Sequence, residues 1–351
     1  MSSIPKRARA FATAATMAAA VVVCPLRASS GEAFGGPKYF SSGVPAPLRE
    51  PLGFHARTNY HGWTNSILVS NGKVDVVIVP AIGRVMQFRF SGEAEGPFWE
   101  NPALFGKAPD PKAAEWVNFG GDKTWPAPQA GWERTMPRKW PPPEGFDAMP
   151  VEAVIEGQLV TLISPVDPHF GIRARRRIEL DIDRPVMTIT TTYEKVSGLP
   201  KEIGVWVITQ LKHPVGVYAI QPDFSRYRDG YNRQSDELPA GLQVGKGLLS
   251  LTRDPKTAHK IGTDASTLVW VGMQEVLRID SARLFRGRYP DQESSAEIYT
   301  NPDPLAYVEF EMLGPLQRMI VGDTISRTST YTLLRRAERD PDLEVQRMAV
   351  H

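Results

Sequence analysis

Short runs of β-branched and aromatic residues recur along most of the chain, and turn-forming residues separate them. The clearest runs are Ser66–Val69, Val74–Val79, Val85–Phe90, Ala153–Ile163, Ile172–Ile182, Val186–Tyr193, Gly204–Leu211, Thr267–Gly272, Ala296–Tyr299, Ala306–Met312 and Thr328–Leu334. Asn71-Gly72 lies between two of these runs, and this dipeptide favours a tight β-hairpin. No window carries the sustained apolar stripe of an amphipathic helix. The sequence therefore predicts an all-β fold, a sandwich or a barrel, which at this length can form one domain.

The N-terminus has the pattern of an export signal. Three basic residues precede the apolar run Ala10–Cys24, and small residues follow at Ala28 and Ala33. The run is shorter than the ~20 residues that a bilayer crossing takes, although a short membrane anchor and a lipoprotein stay as alternatives. We therefore predict a signal peptide over residues 1–33 and a periplasmic or secreted mature protein. N-terminal sequencing of native material checks this prediction, with a terminus expected near residue 29 or 34.

Cysteine content and charge exclude several classes of function. Cys24 is the only cysteine and lies in the predicted signal, so the mature chain has neither disulfides nor thiolate chemistry. The chain has 41 basic and 39 acidic residues, and its first 33 positions hold four basic residues and one acidic residue. The mature chain would therefore have 37 basic and 38 acidic residues. A net charge near −1 predicts no nucleic-acid partner and no membrane partner after signal removal. The basic stretch 173–177 alternates with apolar residues, so it predicts the solvent face of a strand.

The segment Gly96–Phe146 differs from the rest of the chain, because it is rich in proline and holds five of the eight tryptophans. A long segment without regular structure inside a compact domain is usually functional or disordered, and disordered segments are poor in aromatic residues. A linker between two domains is the other alternative. We interpret the segment as a long loop that folds over one end or one face of the sheets.

Four stretches taken in order resemble one family. They are Gly62–Ser66 continuing into Val76–Val85, then Asn118–Gln129, then Trp206–Gln210, and last Tyr307–Leu316 with Val321–Asp323. Their order and spacing resemble an uncharacterised branch of the galactose-mutarotase-like superfamily, domain of unknown function 4380. The resemblance implies a large twisted two-sheet β-sandwich over residues 50–336, with a sugar-sized cleft on one concave sheet. An extension (34–49) precedes this domain, and a charged tail (337–351) follows it as a short helix or a frayed end.

Polar and aromatic residues in the second stretch suit the recognition of a mono- or oligosaccharide. Flat aromatic rings pack on the apolar face of a pyranose, while a few polar groups bind its hydroxyls. The candidate substrate-binding residues are Arg84, Asn118, Asp122, Lys123, Trp125, Gln129 and Gln210. In the alternative interpretation, Asp122 and Lys123 form an ordinary ion pair and Trp125 fills the core. The sugar-binding interpretation predicts that Trp125→Ala weakens binding without unfolding the protein.

Two glutamates in the last stretch are candidates for acid–base chemistry. Glu309 and Glu311 are two residues apart on a predicted strand and share one face. The resemblance implies that a late-strand glutamate removes the proton of the anomeric hydroxyl, and either residue could be its equivalent. A histidine would be the acid, but the comparable strand has Gln210, which cannot donate a proton as an acid.

Two hypotheses follow from these residues. The first is an aldose-epimerase-like enzyme with Glu309 or Glu311 as base and His213 or His61 as acid. The second is a carbohydrate-binding protein that has lost the catalytic acid. The sequence carries no nucleotide-binding or metalloprotease motif and predicts no cofactor and no metal site, while it leaves the oligomeric state open.

Overall fold

The structure, a computed structural model, describes residues 54–112, 115–147 and 149–349. The predicted signal peptide and N-terminal extension lie outside these residues, so both stay predictions. In chain order the strands are β1 (Phe54–Tyr60), β2 (Trp63–Ser70), β3 (Val74–Val79), β4 (Arg84–Phe90), β5 (Asp122–Ala127), β6 (Glu152–Glu156), β7 (Leu159–Ile163), β8 (Ile172–Leu180), β9 (Val186–Lys195), β10 (Lys201–Lys212), β11 (Gly216–Ile220), β12 (Asn232–Arg233), β13 (Gln243–Gly245), β14 (Leu248–Leu251), β15 (His259–Thr263), β16 (Thr267–Val271), β17 (Glu275–Asp280), β18 (Ala296–Thr300), β19 (Tyr307–Leu313), β20 (Gln317–Met319) and β21 (Thr324–Arg335).

Helical segments are short and few among the described residues. The 3₁₀ segments are Pro80–Ile82, Pro102–Leu104 and Gln129–Arg134, and the helices are α1 (Glu144–Asp147), α2 (Pro290–Glu293) and α3 (Pro341–Ala349). None of these helices combines the length and hydropathy that a bilayer crossing requires.

The strands form two large antiparallel sheets, as the sequence predicts. Sheet A has eleven strands in the order β1-β2-β3-β4-β5-β10-β19-β18-β15-β12, with β20 paired to β10. Sheet B has ten, in the order β13-β14-β11-β16-β17-β21-β9-β8-β7-β6. The two sheets enclose one main hydrophobic core, which takes residues from both. This arrangement confirms the two-sheet β-sandwich.

Strand β8 illustrates how the alternating sequence positions its residues. Ile172, Ala174 and Ile178 are buried, while Arg173 and Arg175 on the other face pair with Glu194 of β9. Arg176 falls on the buried face by the same alternation, with 3% of its surface exposed. The run of arginines is therefore a solvent face with one cation directed into the interior, and that cation requires a buried partner.

The Trp-rich segment packs over β5 and β10 of sheet A, on the face turned away from sheet B. Four of its tryptophans join Trp206 of β10 in a cluster with ring centroids 5.3 to 6.4 Å apart, which we call the tryptophan cluster: Trp116, Trp125, Trp132, Trp140 and Trp206. Asp147 fastens the segment, since it accepts hydrogen bonds from Trp116 Nε1 (2.7 Å), Trp125 Nε1 (3.0 Å) and Arg84 Nη2 (2.7 Å). The segment is thus an ordered loop over one face of sheet A.

The charged C-terminal segment forms helix α3. Val345 and Met348 pack in a hydrophobic cluster with Tyr218 and Leu248 of sheet B. The buried carboxylate of Glu344 accepts a hydrogen bond of 2.9 Å from the backbone N–H of Ala337. The sequence left a short helix and a frayed end as alternatives for this segment, and the structure shows the short helix.

Candidate functional site

Strand alternation divides the predicted site residues between the two faces of sheet A. Asp122 on β5 contacts sheet B, so Lys123, the next residue, points away from it. Thr209 and Gln210 on β10 divide in the same way, because Thr209 also bonds to Asp122. We call the face turned away from sheet B the outer face. Gln210 pairs with Glu309 across β10 and β19, so both belong to the outer face.

Asp122 lies in the interior and is a correction to the predicted site. Its carboxylate pairs with Arg176 of β8 and accepts hydrogen bonds from Thr209 Oγ1 (2.6 Å) and Tyr331 Oη (2.7 Å). The side chain is fully buried. The physical reason is the interior arginine, whose charge would otherwise lack a counterion. The alternative ion pair with Lys123 is not formed either, since neighbouring residues on a strand point in opposite directions.

Three polar residues lie together on the outer face, and we call them the Glu309 group: Lys123, Gln210 and Glu309. Gln210 Nε2 donates to Glu309 Oε1 at 2.7 Å, and Lys123 Nζ lies 3.7 Å from the same oxygen. The lysine ammonium sits over the rings of Trp116 and Trp125, at 5.1 and 4.7 Å from their centroids. Within the described residues, its Nζ has no hydrogen-bond partner. Burial lowers the pKa of Lys123 to about 8, although Glu309 opposes the shift.

A second polar group adjoins the first, and we call it the Lys260 group: Lys260, Glu297, Glu311 and Gln234. Lys260 Nζ lies 2.7 Å from Glu297 Oε2 and 2.8 Å from Glu311 Oε2. Gln234 Nε2 donates to Glu297 Oε1 at 2.6 Å. Burial raises the pKa of the Glu311 carboxyl well above its ordinary value, and Glu297 and Glu309 add to the rise while Lys260 opposes it. Glu309 and Glu311 are about 7 Å apart along β19, so the two groups form one polar strip.

A cavity of about 500 Å³ opens beside the Lys260 group, within the range of small-molecule sites. Trp206 borders the cavity with 3% of its surface exposed, and Lys260 Nζ lies 5.0 Å from the centre of its ring. The other lining residues are Gln129, Ala130, Glu133, Lys139, Gln234 and Asp291. The carboxylate, amide and ammonium groups around the cavity can bind the hydroxyls of a sugar. Among the described residues, no group of three His, Cys, Asp or Glu side chains has the spacing of a metal site.

Solved structures of other proteins share the fold of this chain. A galactose mutarotase-like protein from Lactobacillus casei ATCC 334 superposes with a TM-score of 0.52 at 8% identity, covering 77% of this chain and 100% of that chain. A galactose mutarotase related enzyme from Lactobacillus acidophilus gives 0.50 at 11% identity, covering 77% and 97%. The chain has the galactose-mutarotase-like fold. No family model and no curated protein matches the chain, so the narrower assignment to domain 4380 stays a prediction.

The mutarotase-like fold also occurs inside a longer protein. A TPR-domain containing protein from Parabacteroides distasonis ATCC 8503 matches with a TM-score of 0.51 at 12% identity. The match covers 78% of this chain and 48% of that one, so this chain spans about half the length of that protein. At these identities the likeness establishes the fold alone, and function has to be argued from the site.

Neither histidine proposed as the acid contacts the two glutamates. His61 is exposed in the turn between β1 and β2, and its ring stacks on Phe105 at 3.9 Å. His213 follows β10 and accepts a hydrogen bond at Nδ1 from Arg253 Nε, 2.9 Å away. Burial lowers the pKa of both imidazoles, and the neighbouring arginines Arg89 and Arg253 lower them further. Lys123, whose Nζ lies 3.7 Å from Glu309 Oε1, is therefore a candidate acid in the place that the sequence-based prediction gave to His213 or His61.

Three other predicted binding residues stabilise the loop that packs over sheet A. Arg84 is buried and donates to Asp147 and, through Nη1, to the Gly120 carbonyl at 2.7 Å. Asn118 Oδ1 accepts from the Gly120 N–H at 3.2 Å, and Trp125 is enclosed in the tryptophan cluster with 4% of its surface exposed. Gln129, by contrast, is exposed and lines the cavity. The tryptophan that borders the cavity is Trp206, rather than the Trp125 that the sequence indicated, and both rings are almost fully buried.

The Lys260 group has only a weak signal in the sequence. Glu297 and Tyr299 alternate with apolar residues in the run Ala296–Thr300, which places both on one face of β18. Lys260 is a single charge in the short strand β15, and nothing local indicates its two carboxylate partners. Pairing of β15, β18 and β19 brings the three charges together from separate parts of the chain.

Proposed function

We propose that this protein binds a monosaccharide, or the end of an oligosaccharide, on the outer face of sheet A. One observation carries the proposal: four polar side chains, those of Gln129, Gln234, Lys260 and Asp291, line one cavity of the galactose-mutarotase-like fold beside Trp206. Lys260, Gln129 and Gln234 supply donors for hydroxyl oxygens, and the carboxylates accept from hydroxyl protons. The basic and apolar N-terminus further supports an exported protein, so we propose that binding takes place outside the cytoplasm.

A titration with single sugars tests this proposal. We expect D-galactose, D-glucose or D-mannose to bind the mature protein in titration calorimetry. Gln129→Ala should weaken that binding about fivefold, because one hydrogen bond to the sugar is worth about 1 kcal/mol. Gln317→Ala is the matched control, since Gln317 is exposed in β20 and does not line the cavity. Heat of binding that is absent across the panel, or equal losses in both variants, would count against the cavity as the site.

A second candidate function is proton transfer of the aldose-epimerase type, and the closeness of Lys123 and Glu309 favours it. Glu309 would take the proton of the anomeric hydroxyl while Lys123 gives a proton to the ring oxygen, and the bond between C1 and the ring oxygen breaks. The open aldehyde rotates and closes again with both proton transfers reversed, so the protein ends as it began. Lys123 suits the acid role because its Nζ makes no hydrogen bond in the described residues and lies 3.7 Å from the Glu309 carboxylate.

The change in optical rotation of freshly dissolved α-D-galactose or α-D-glucose separates the two functions. An epimerase would accelerate the change at neutral pH and lose the acceleration above about pH 8, where Lys123 loses the proton that it must donate. Glu309→Gln and Lys123→Met should each remove it, whereas Lys246→Met, an exposed lysine next to β13, should not. Binding without acceleration across the panel selects the binding protein. Acceleration that persists to pH 10 would contradict Lys123 as the acid.

A further inference from the structure

The segment before β18 contains three consecutive residues in the left-handed conformation, none of them glycine. Asp291 has φ 49° and ψ 56°, Gln292 has φ 60° and ψ 38°, and Glu293 has φ 76°. Side chains with a Cβ disfavour this region, and such residues usually occur singly. Strained backbone of this kind persists where the surroundings fix it, and it clusters at functional sites. The left-handed turn Asp291–Glu293 is therefore a feature that needs an explanation.

Side chains from several parts of the chain hold this turn in place. Each of its three carbonyl oxygens accepts a side-chain hydrogen bond. The donors are Asn232 Nδ2 (3.3 Å) and Ser294 Oγ (2.8 Å) to Asp291, Tyr227 Oη (2.9 Å) to Gln292, and Arg283 Nη1 (2.9 Å) to Glu293. Asn232, Tyr227 and Arg283 come from three different segments, so the conformation is fixed from outside the turn.

The turn places the Asp291 side chain at the cavity. Asp291 lines the cavity together with Lys260, Gln234 and Trp206. Among the described residues, no hydrogen bond reaches the Asp291 carboxylate, although those of Glu297 and Glu311 both bond within the Lys260 group. Burial raises the pKa of Asp291 to about 6, with Glu297 adding to the rise and Lys260 opposing it. Asp291 thus adopts an unfavourable backbone conformation, and its carboxylate has no hydrogen-bond partner among the described residues.

We infer that the left-handed turn exists to hold the Asp291 carboxylate in the cavity, where it binds two adjacent hydroxyl groups of a pyranose. The two oxygens of a carboxylate can each accept from one of two neighbouring hydroxyls, whereas the amide of Gln129 or Gln234 offers one oxygen and one NH₂ donor. Lys260 then donates to a third oxygen of the sugar. Asp291 is in this inference a specificity-determining residue of the proposed sugar site, and the inference rests on the proposed sugar binding.

Two single variants and one titration test the inference. Asp291→Asn removes the charge and keeps a residue that tolerates the left-handed region. Gln292→Gly relaxes the backbone and leaves the carboxylate in place; its exposed side chain does not line the cavity. With D-galactose, D-glucose and D-mannose as probes, we expect Asp291→Asn to raise the Kd of the sugar that binds by about tenfold, at an unchanged or higher Tm. Gln292→Gly should keep the wild-type Kd within about twofold.

The outcomes separate this inference from the function on which it rests. If the wild type binds a sugar and Asp291→Asn binds it equally well, the role of Asp291 is overturned while sugar binding stands. If Asp291→Asn loses binding together with several degrees of Tm, Asp291 is a stabilising residue and the inference is again overturned. If the wild type binds none of the three sugars, the proposed function fails and the inference fails with it.

Discussion

Asp122→Ala should lower the free energy of unfolding by about 3–5 kcal/mol, the loss expected when one partner of a buried ion pair is removed. The variant leaves Arg176 charged between the two sheets, with 3% of its surface exposed. Thr209 and Tyr331 lose the acceptor of their hydrogen bonds at the same time. Urea unfolding followed by circular dichroism measures the effect, and a destabilisation below about 1 kcal/mol would contradict the interior placement of Asp122.

Two further variants give this prediction its controls. Glu179→Ala removes one partner of the exposed pair Arg177–Glu179 and should cost less than about 1 kcal/mol. The double variant Asp122→Ala/Arg176→Met removes both charges, and it should recover much of the stability that the single variant loses. A double variant as unstable as Asp122→Ala alone would show that the loss comes from packing around β5 and not from the unpaired arginine.

Trp125→Ala should also destabilise the protein by about 3–5 kcal/mol, as for other buried large aromatic residues. The indole is enclosed by the other four rings of the tryptophan cluster and has 4% of its surface exposed. Its loss leaves a cavity and removes the hydrogen bond from Nε1 to Asp147. This result replaces the sequence-based prediction that the variant weakens sugar binding without unfolding, because the ring has no free face to offer a sugar.

Trp140→Ala is the matched comparison for Trp125→Ala. Trp140 belongs to the same cluster but has 41% of its surface exposed, so its removal should cost clearly less. Guanidinium unfolding monitored by tryptophan fluorescence compares the two variants directly. Equal destabilisation of both, or a wild-type midpoint for Trp125→Ala, would contradict the packing described for the loop.

Local sequence signals predict much of the β-sandwich but little about which face of sheet A each residue occupies. Asn71-Gly72 joins β2 and β3 in an antiparallel pair, with Gly72 at φ 78°, as the dipeptide indicates. In β5, by contrast, every residue is buried, because the tryptophan-rich loop covers the outer face. A strand buried on both faces shows no alternation that separates interior from site. Asp122 could therefore be assigned to the sugar site although it faces the core.

Contacts between distant segments account for the rest of what the sequence missed. The relation of Glu309 to Gln210 depends on the register of β10 and β19, which no local pattern fixes. Asp291, Gln292 and Glu293 adopt the left-handed conformation although none of them is glycine or asparagine. Side chains from other segments impose this conformation. Residues of this kind become visible only when the fold is known, and one of them, Asp291, lines the cavity that we propose as the site.

A crystal structure of the mature protein soaked in D-galactose, D-glucose or D-mannose tests the central claim most directly. We predict one pyranose in the cavity on the outer face, with its hydroxyls within hydrogen-bond distance, ~3 Å, of Asp291 and Lys260. The other large cavity, about 850 Å³ between residues 221 and 248, should stay free of sugar. Sugar bound there and not beside Trp206, or no sugar at either place from a saturating soak, would contradict the account.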